Sequence, residues 1–178
     1  MLGAEAGRFG WDNEFPRHTM EVPSFEMSMH DVTNQEFREF VEGGGYRREG
    51  LWDPEGWSWI RGADVSHPPF WVRNEKTGDL EWLGMFERIP LPPAWPVWVT
   101  QAEASAYARW KGGRLATEAE YDRAAYGDPS GAAREFPWGD GPPDASRGNF
   151  DFRQWEPVAA GSFPAGASAW GIHDLVGN

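Results

Sequence analysis

The sequence contains no cysteine. Disulfides, thiolate metal sites and cysteine nucleophiles are therefore excluded within these residues, and the composition suits a reducing, cytoplasmic setting. Basic residues are also scarce: 16 Lys and Arg face 28 Asp and Glu, for a net charge of −12. Nucleic acid is excluded as a partner, because affinity for phosphate comes largely from Lys and Arg. Anionic membranes are disfavoured for the same reason, and the charge serves solubility. No apolar run approaches the ~20 residues of a membrane span. The opening stretch MLGAEAGRFG lacks the basic and then apolar order of a signal peptide. No two of the four histidines (His18, His30, His67, His173) stand three or four residues apart, so no helix presents two imidazoles to one ion. A metal site assembled by the fold stays open. No Gly-x-Ser-x-Gly elbow is present, and nothing singles out a catalytic carboxylate pair.

Aromatic residues, glycine and proline are abundant. Aromatics make up 15% of the chain, with 12 Trp beside 22 Gly and 15 Pro. Large side chains of this kind each bury roughly 150–250 Å², so a few of them can anchor long irregular segments. The 178 residues fit one domain, 1–178, of mixed α+β class with little regular secondary structure.

Three stretches carry the same helix-start signal: Thr33-Asn34-Gln35-Glu36, Thr100-Gln101-Ala102-Glu103 and Thr117-Glu118-Ala119-Glu120. Each is a capping box, in which the Thr side chain and the Glu three residues on satisfy each other's backbone N–H groups. Gly43, Gly112 and Gly127 follow where a left-handed cap belongs. The pattern predicts helices over 33–42, 100–111 and 117–126. Alternation predicts short strands over His18–Val22 and Ser24–Met27. Residues 50–98, with seven Trp, and 127–148 read as two long loops.

Two stretches could hold a ligand. Trp11, Asp12, Asn13 and Glu14 set three oxygen-bearing side chains behind an aromatic, which suits a hard cation or a polar substrate; a turn closed on its own backbone is the alternative. Trp57 and Trp59 share a face if the chain is extended there, with Phe70 and Trp71 nearby. Such a surface could stack a sugar, a base or a quaternary ammonium group, or it could simply be core.

Several motifs resemble one family. Arg114 to Tyr121 (RLATEAEY) is similar to the Arg-Leu-Pro-Thr-Glu-Ala-Glu-Trp signature of the formylglycine-generating-enzyme-like (sulfatase-modifying factor) domain, with Ala116 in place of Pro and Tyr121 in place of Trp. Phe136 to Asp140 resembles that domain's Pro-Trp-Gly loop, and Val32 to Phe40 its first helix. Gly171 to Asn178 resembles the segment leading into its Trp-Glu-Trp motif. Phe9 to Glu14, Gly44-Gly45-Tyr46, Leu51-Trp52, Gly56 to Trp59 and Pro69 to Trp71 look like the ergothioneine-type sulfoxide synthases of that family.

The resemblance implies a variant of the C-type lectin fold, cut short at its C-terminus. It implies an O2-dependent enzyme that joins a thiol donor to a trimethylated histidine, with small molecules as its partners. Fe(II) would be held mostly by histidines of a domain outside these residues. No catalytic residue is expected within this span, which alone should be inactive. Trp11, Asp12, Asn13, Glu14, Trp57, Trp59 and Trp71 are the expected substrate-binding residues. Asn149 and Phe150 resemble the start of one structural Ca2+ site, and Asp174 and Gly177 half of another. Two alternatives are a formylglycine-generating oxidase, whose cysteine pair would lie beyond Asn178, and a non-catalytic lectin-like binding module.

Overall fold

The structure is a computed structural model that describes residues 2–4, 6–7 and 10–178, and of Asn13 the backbone alone. Among the described residues four helices and one small sheet form a mixed α+β arrangement: α1 (Asn34–Glu42), α2 (Pro54–Gly62), β1 (Trp71–Arg73), β2 (Leu80–Leu83), β3 (Arg88–Pro90), α3 (Gln101–Trp110) and α4 (Glu118–Tyr126). The rest is turns and extended chain, including short 3-10 turns at Asp12–Glu14, Gly45–Arg47, Glu49–Leu51 and Pro164–Gly166.

The three capping boxes form as the sequence predicts. Thr33, Thr100 and Thr117 each accept from the backbone N–H three residues on, while Glu36, Glu103 and Glu120 accept from the Thr backbone N–H at 2.8–2.9 Å. The helix ends differ from expectation. Only Gly112 is left-handed (φ +82°). After α1 the left-handed residue is Gly44 (φ +79°), one position beyond Gly43, and Gly127 leaves α4 in extended geometry.

The expected strands do not form. His18 makes a single antiparallel bridge to Leu2, and residues 20–28 carry no regular secondary structure. The sheet lies instead inside the tryptophan-rich stretch 50–98, whose composition predicts a loop. It is antiparallel in the order β1-β2-β3, with Trp71 opposite Trp82 and Trp82 opposite Ile89. The same stretch holds α2, capped by Asp53 (Gly56 N–H to Asp53 Oδ1, 2.8 Å) and started by Pro54 at its first position.

Phe37 and Phe40 of α1 lie at the centre of the core. Tyr107, Trp71, Trp52 and Tyr46 pack on them with ring centroids 5.2–6.4 Å apart. Polar groups that this packing buries are paired. Trp52 Nε1 donates to Gly45 O (3.0 Å), and Asn34 accepts from Trp71 Nε1 (3.3 Å) while donating to Pro92 O (2.8 Å). Tyr46 donates its hydroxyl to fully buried Glu103 at 2.5 Å. Burial and the neighbouring carboxylate push the Tyr46 phenol far above its ordinary range. Gly45 has no room for a side chain, since a Cβ there would stand 2.1 Å from the Phe40 ring.

Candidate functional site

A cleft of about 1050 Å3 lies between residues 24–33 and the turn that joins α3 to α4. Arg114 on that turn forms a two-pronged ion pair with Glu120, Nη1 to Oε2 at 2.7 Å and Nη2 to Oε1 at 2.6 Å. Glu120 also closes the Thr117 capping box. The Arg114 bonds, reinforced by the Thr117 amide, hold the Glu120 carboxyl down at about 2. One carboxylate thus caps a helix and fixes a cation at the cleft wall.

The opposite wall holds a cluster from distant parts of the chain. His30 and His173 lie ring to ring, with centroids 4.6 Å apart. His173 donates its backbone N–H to Met29 O (2.8 Å), and Asp174 Oδ2 accepts from Gly161 N–H (2.5 Å). Gly161 is required there twice over. Its φ is +77°, and a Cβ would stand 2.8 Å from the His30 ring. The other Asp174 oxygen, Oδ1, and His173 Nδ1 are buried without a hydrogen-bond partner among the described residues. Asp31 is open to solvent on one side, yet the cleft walls around its carboxyl raise it to about 6; Asp174 adds to the rise and His30 opposes it. No local pattern links these residues, because His30 and His173 are far apart in sequence. Proximity in the fold is their only signal.

The expected substrate residues are not brought together around this cleft. Trp11 to Glu14 form a 3-10 turn in which Glu14 accepts from the Trp11 backbone N–H at 2.9 Å. Trp11 is 67% exposed. Phe9 and the Asn13 side chain lie outside the described residues. Trp57 and Trp59 do not share a face, because they sit on α2, where residues two apart point about 200° away from one another. Trp57 is half-buried against the core under Arg61, and Trp59 is exposed. Trp71 is core, 1% exposed, with its ring edge bonded to Asn34, so it offers no stacking face.

The expected calcium residues are adjacent but already engaged in part. Asn149 donates its backbone N–H to Gly177 O (2.5 Å), and its side chain closes the 149–156 loop through Gln154 and Glu156. The Phe150 ring lies over Gly177 and against Trp138. Among the four, Asp174 retains a free buried oxygen. Iron does not fit these residues. Among the described residues no group of three or more His, Cys, Asp and Glu is placed to hold a metal ion. No helix among them is long and apolar enough to cross a membrane.

The sulfatase-modifying factor enzyme 1-like domain matches residues 1–178. The chain belongs to that family. Two relatives are hercynine oxygenases. That of Mycolicibacterium smegmatis is 41% identical over 169 residues, covering 94% of this chain and 38% of its own length. That of Mycolicibacterium thermoresistibile is 40% identical over 172 residues, covering 96% and 37%. A formylglycine-generating enzyme of Mycobacterium tuberculosis is 30% identical over 214 residues, covering 94% of this chain and 66% of the relative. The chain thus spans well under half the length of the hercynine oxygenases that it matches.

Proposed function

We propose that this sulfatase-modifying-factor-like domain belongs to an O2-dependent, non-haem iron sulfoxide synthase acting on a trimethylated histidine. The observation that carries the reading is the gap in similarity: 41% and 40% identity to two hercynine oxygenases, against 30% to a formylglycine-generating enzyme. In the proposed reaction an imidazole C–H and a thiol S–H are lost and a C–S bond forms. One oxygen atom of O2 ends on sulfur, and the other leaves as water with the two hydrogens. Because the residues described here do not make an iron site, the metal is assigned to polypeptide outside them, and this domain shapes the substrate pocket. The absence of cysteine and the acidic charge support a cytoplasmic setting. Calcium is proposed at Asp174, whose unpartnered buried oxygen calls for a cation or a proton.

The test is to incubate the complete product of the gene with Fe(II), O2, trimethylated histidine and a series of thiols, and to follow products by mass spectrometry. A sulfoxide conjugate formed only with all four components supports the reading, and no conjugate with any thiol overturns it. A formylglycine-generating oxidase is the second reading, favoured by the family itself and by the fraction of that relative the chain covers. Its sign would be conversion of a peptide cysteine to formylglycine in the same preparation.

A further inference from the structure

Phe86, Phe152 and Trp155 gather at the surface, where they remain between 55% and 76% exposed. The Trp155 ring meets Phe86 at right angles (centroids 6.0 Å apart) and lies tilted on Phe152 (5.3 Å). Two segments far apart in sequence bring them together. Phe86 sits in the turn between β2 and β3, which Gly84 N–H closes on Glu87 O at 3.0 Å. Phe152 and Trp155 sit on the 149–156 loop, whose shape Asn149 fixes through Gln154 and Glu156. Asp151 and Phe152 both take left-handed backbone there (φ +58° and +54°), which bulky side chains rarely adopt. Glu156 staples the two segments: Oε2 accepts from Trp82 Nε1 (3.0 Å) and Oε1 from Met85 N–H (2.7 Å).

The charge beside the rings selects a ligand. Both donors to Glu156 are neutral, and among the described residues no ion pair reaches Glu156, Asp151 or Glu87. Arg88 and Arg153 are chain neighbours of the rings, yet no Lys or Arg stands over any of the three among the described residues. Elsewhere indole faces are filled: Arg123 lies over Trp170 at 5.0 Å, Lys111 over Trp110 at 5.1 Å and Arg147 over Trp138 at 5.5 Å. We propose that Phe86, Phe152 and Trp155 form a binding site for a small molecule that carries a quaternary ammonium group. Aromatic faces attract a cation through their quadrupole. An apolar partner would strip water from the Glu156 charge and put nothing in its place. A metal ion needs several oxygens, which rings do not supply. A primary ammonium would leave N–H donors unpaired against the rings, whereas a quaternary nitrogen has none to leave. None of these residues lines the 1050 Å3 cleft, and the inference stands whether or not the proposed reaction is correct.

The experiment is 19F NMR on the complete product of the gene, labelled with fluorotryptophan and titrated with choline and with its uncharged carbon isostere. Trp155→Phe identifies the Trp155 resonance by its loss. Choline should shift that resonance saturably, with a midpoint at least about 10-fold lower than that of the isostere. Phe152→Ala, a change at a largely exposed ring, should raise the choline midpoint about threefold or more and leave the other tryptophan resonances in place. Trimethylated histidine should shift the Trp155 resonance as choline does, because the site reads the group and not the rest of the molecule. Equal midpoints for choline and the isostere would overturn the proposal, and so would the absence of a saturable shift. A choline midpoint unchanged by Phe152→Ala, or a response to trimethylated histidine alone, would do the same. Catalytic activity does not enter the readout, so this test and that of the proposed reaction fail separately.

Discussion

At the scale of single residues, two positions carry the core's tolerance. Gly45 passes so close to Phe40 that any side chain displaces the ring. Gly45→Ala should therefore destabilise the chain by about 1–3 kcal/mol, as overpacking does, read as a lower denaturation midpoint in urea at unchanged slope. Tyr46 and Glu103 are coupled in another way. Glu103 serves the Thr100 cap with one oxygen and the Tyr46 hydroxyl with the other. Tyr46→Phe keeps the ring and strips a partner from a fully buried carboxylate, at a cost of about 1–3 kcal/mol. Equal stability of Tyr46→Phe and the parent would mean that Glu103 is satisfied some other way. Glu120 gives a pH dependence of definite sign. Its carboxyl is lowered from 4.5 to about 2 in the fold, so the stability it supplies is complete above 4.5 and is lost as pH falls towards 2. Arg114→Ala should flatten that part of the stability profile in acid and leave the profile above pH 6 parallel to the parent's.

At the scale of elements, the helices with capping boxes were legible in the sequence because their signals are local. Thr, Glu and the residues between them settle the first turn regardless of what packs on it. Thr117→Ala should cost about 1 kcal/mol by thermal or urea unfolding, since it opens the box that Glu120 also ties to Arg114. The Asp53-Pro54 start of α2 was an equally local signal, masked by the expectation that Trp57 and Trp59 lie on extended chain. The strands failed for a different reason. Alternation over residues 18–27 is present, but alternation describes a side-chain pattern, and a strand also needs a partner that local sequence does not name. The sheet formed where three short runs could pair with one another, around Trp71 and Trp82. The cleft was less legible still. Arg114 and Glu120 share a motif, whereas His30, Asp31, His173 and Asp174 converge only through the path of the chain.

At the scale of the whole molecule, the family and the acidic charge belong to one account. The chain is a sulfatase-modifying-factor-like domain with a fixed Arg114–Glu120 pair and a carboxylate-histidine cluster, and on the proposed function the iron would be held by other polypeptide. It follows that these 178 residues alone should form no sulfoxide from trimethylated histidine and a thiol; turnover by the purified chain would place the whole reaction within it. The most direct measurement is a competition under 18O2 with the complete product of the gene. It offers Fe(II), trimethylated histidine, a thiol and a cysteine peptide in one vessel and reads the products by mass. The account predicts a sulfoxide conjugate bearing one heavy oxygen and an unchanged cysteine peptide beyond its use as a thiol. Formylglycine in the peptide with trimethylated histidine untouched would contradict it.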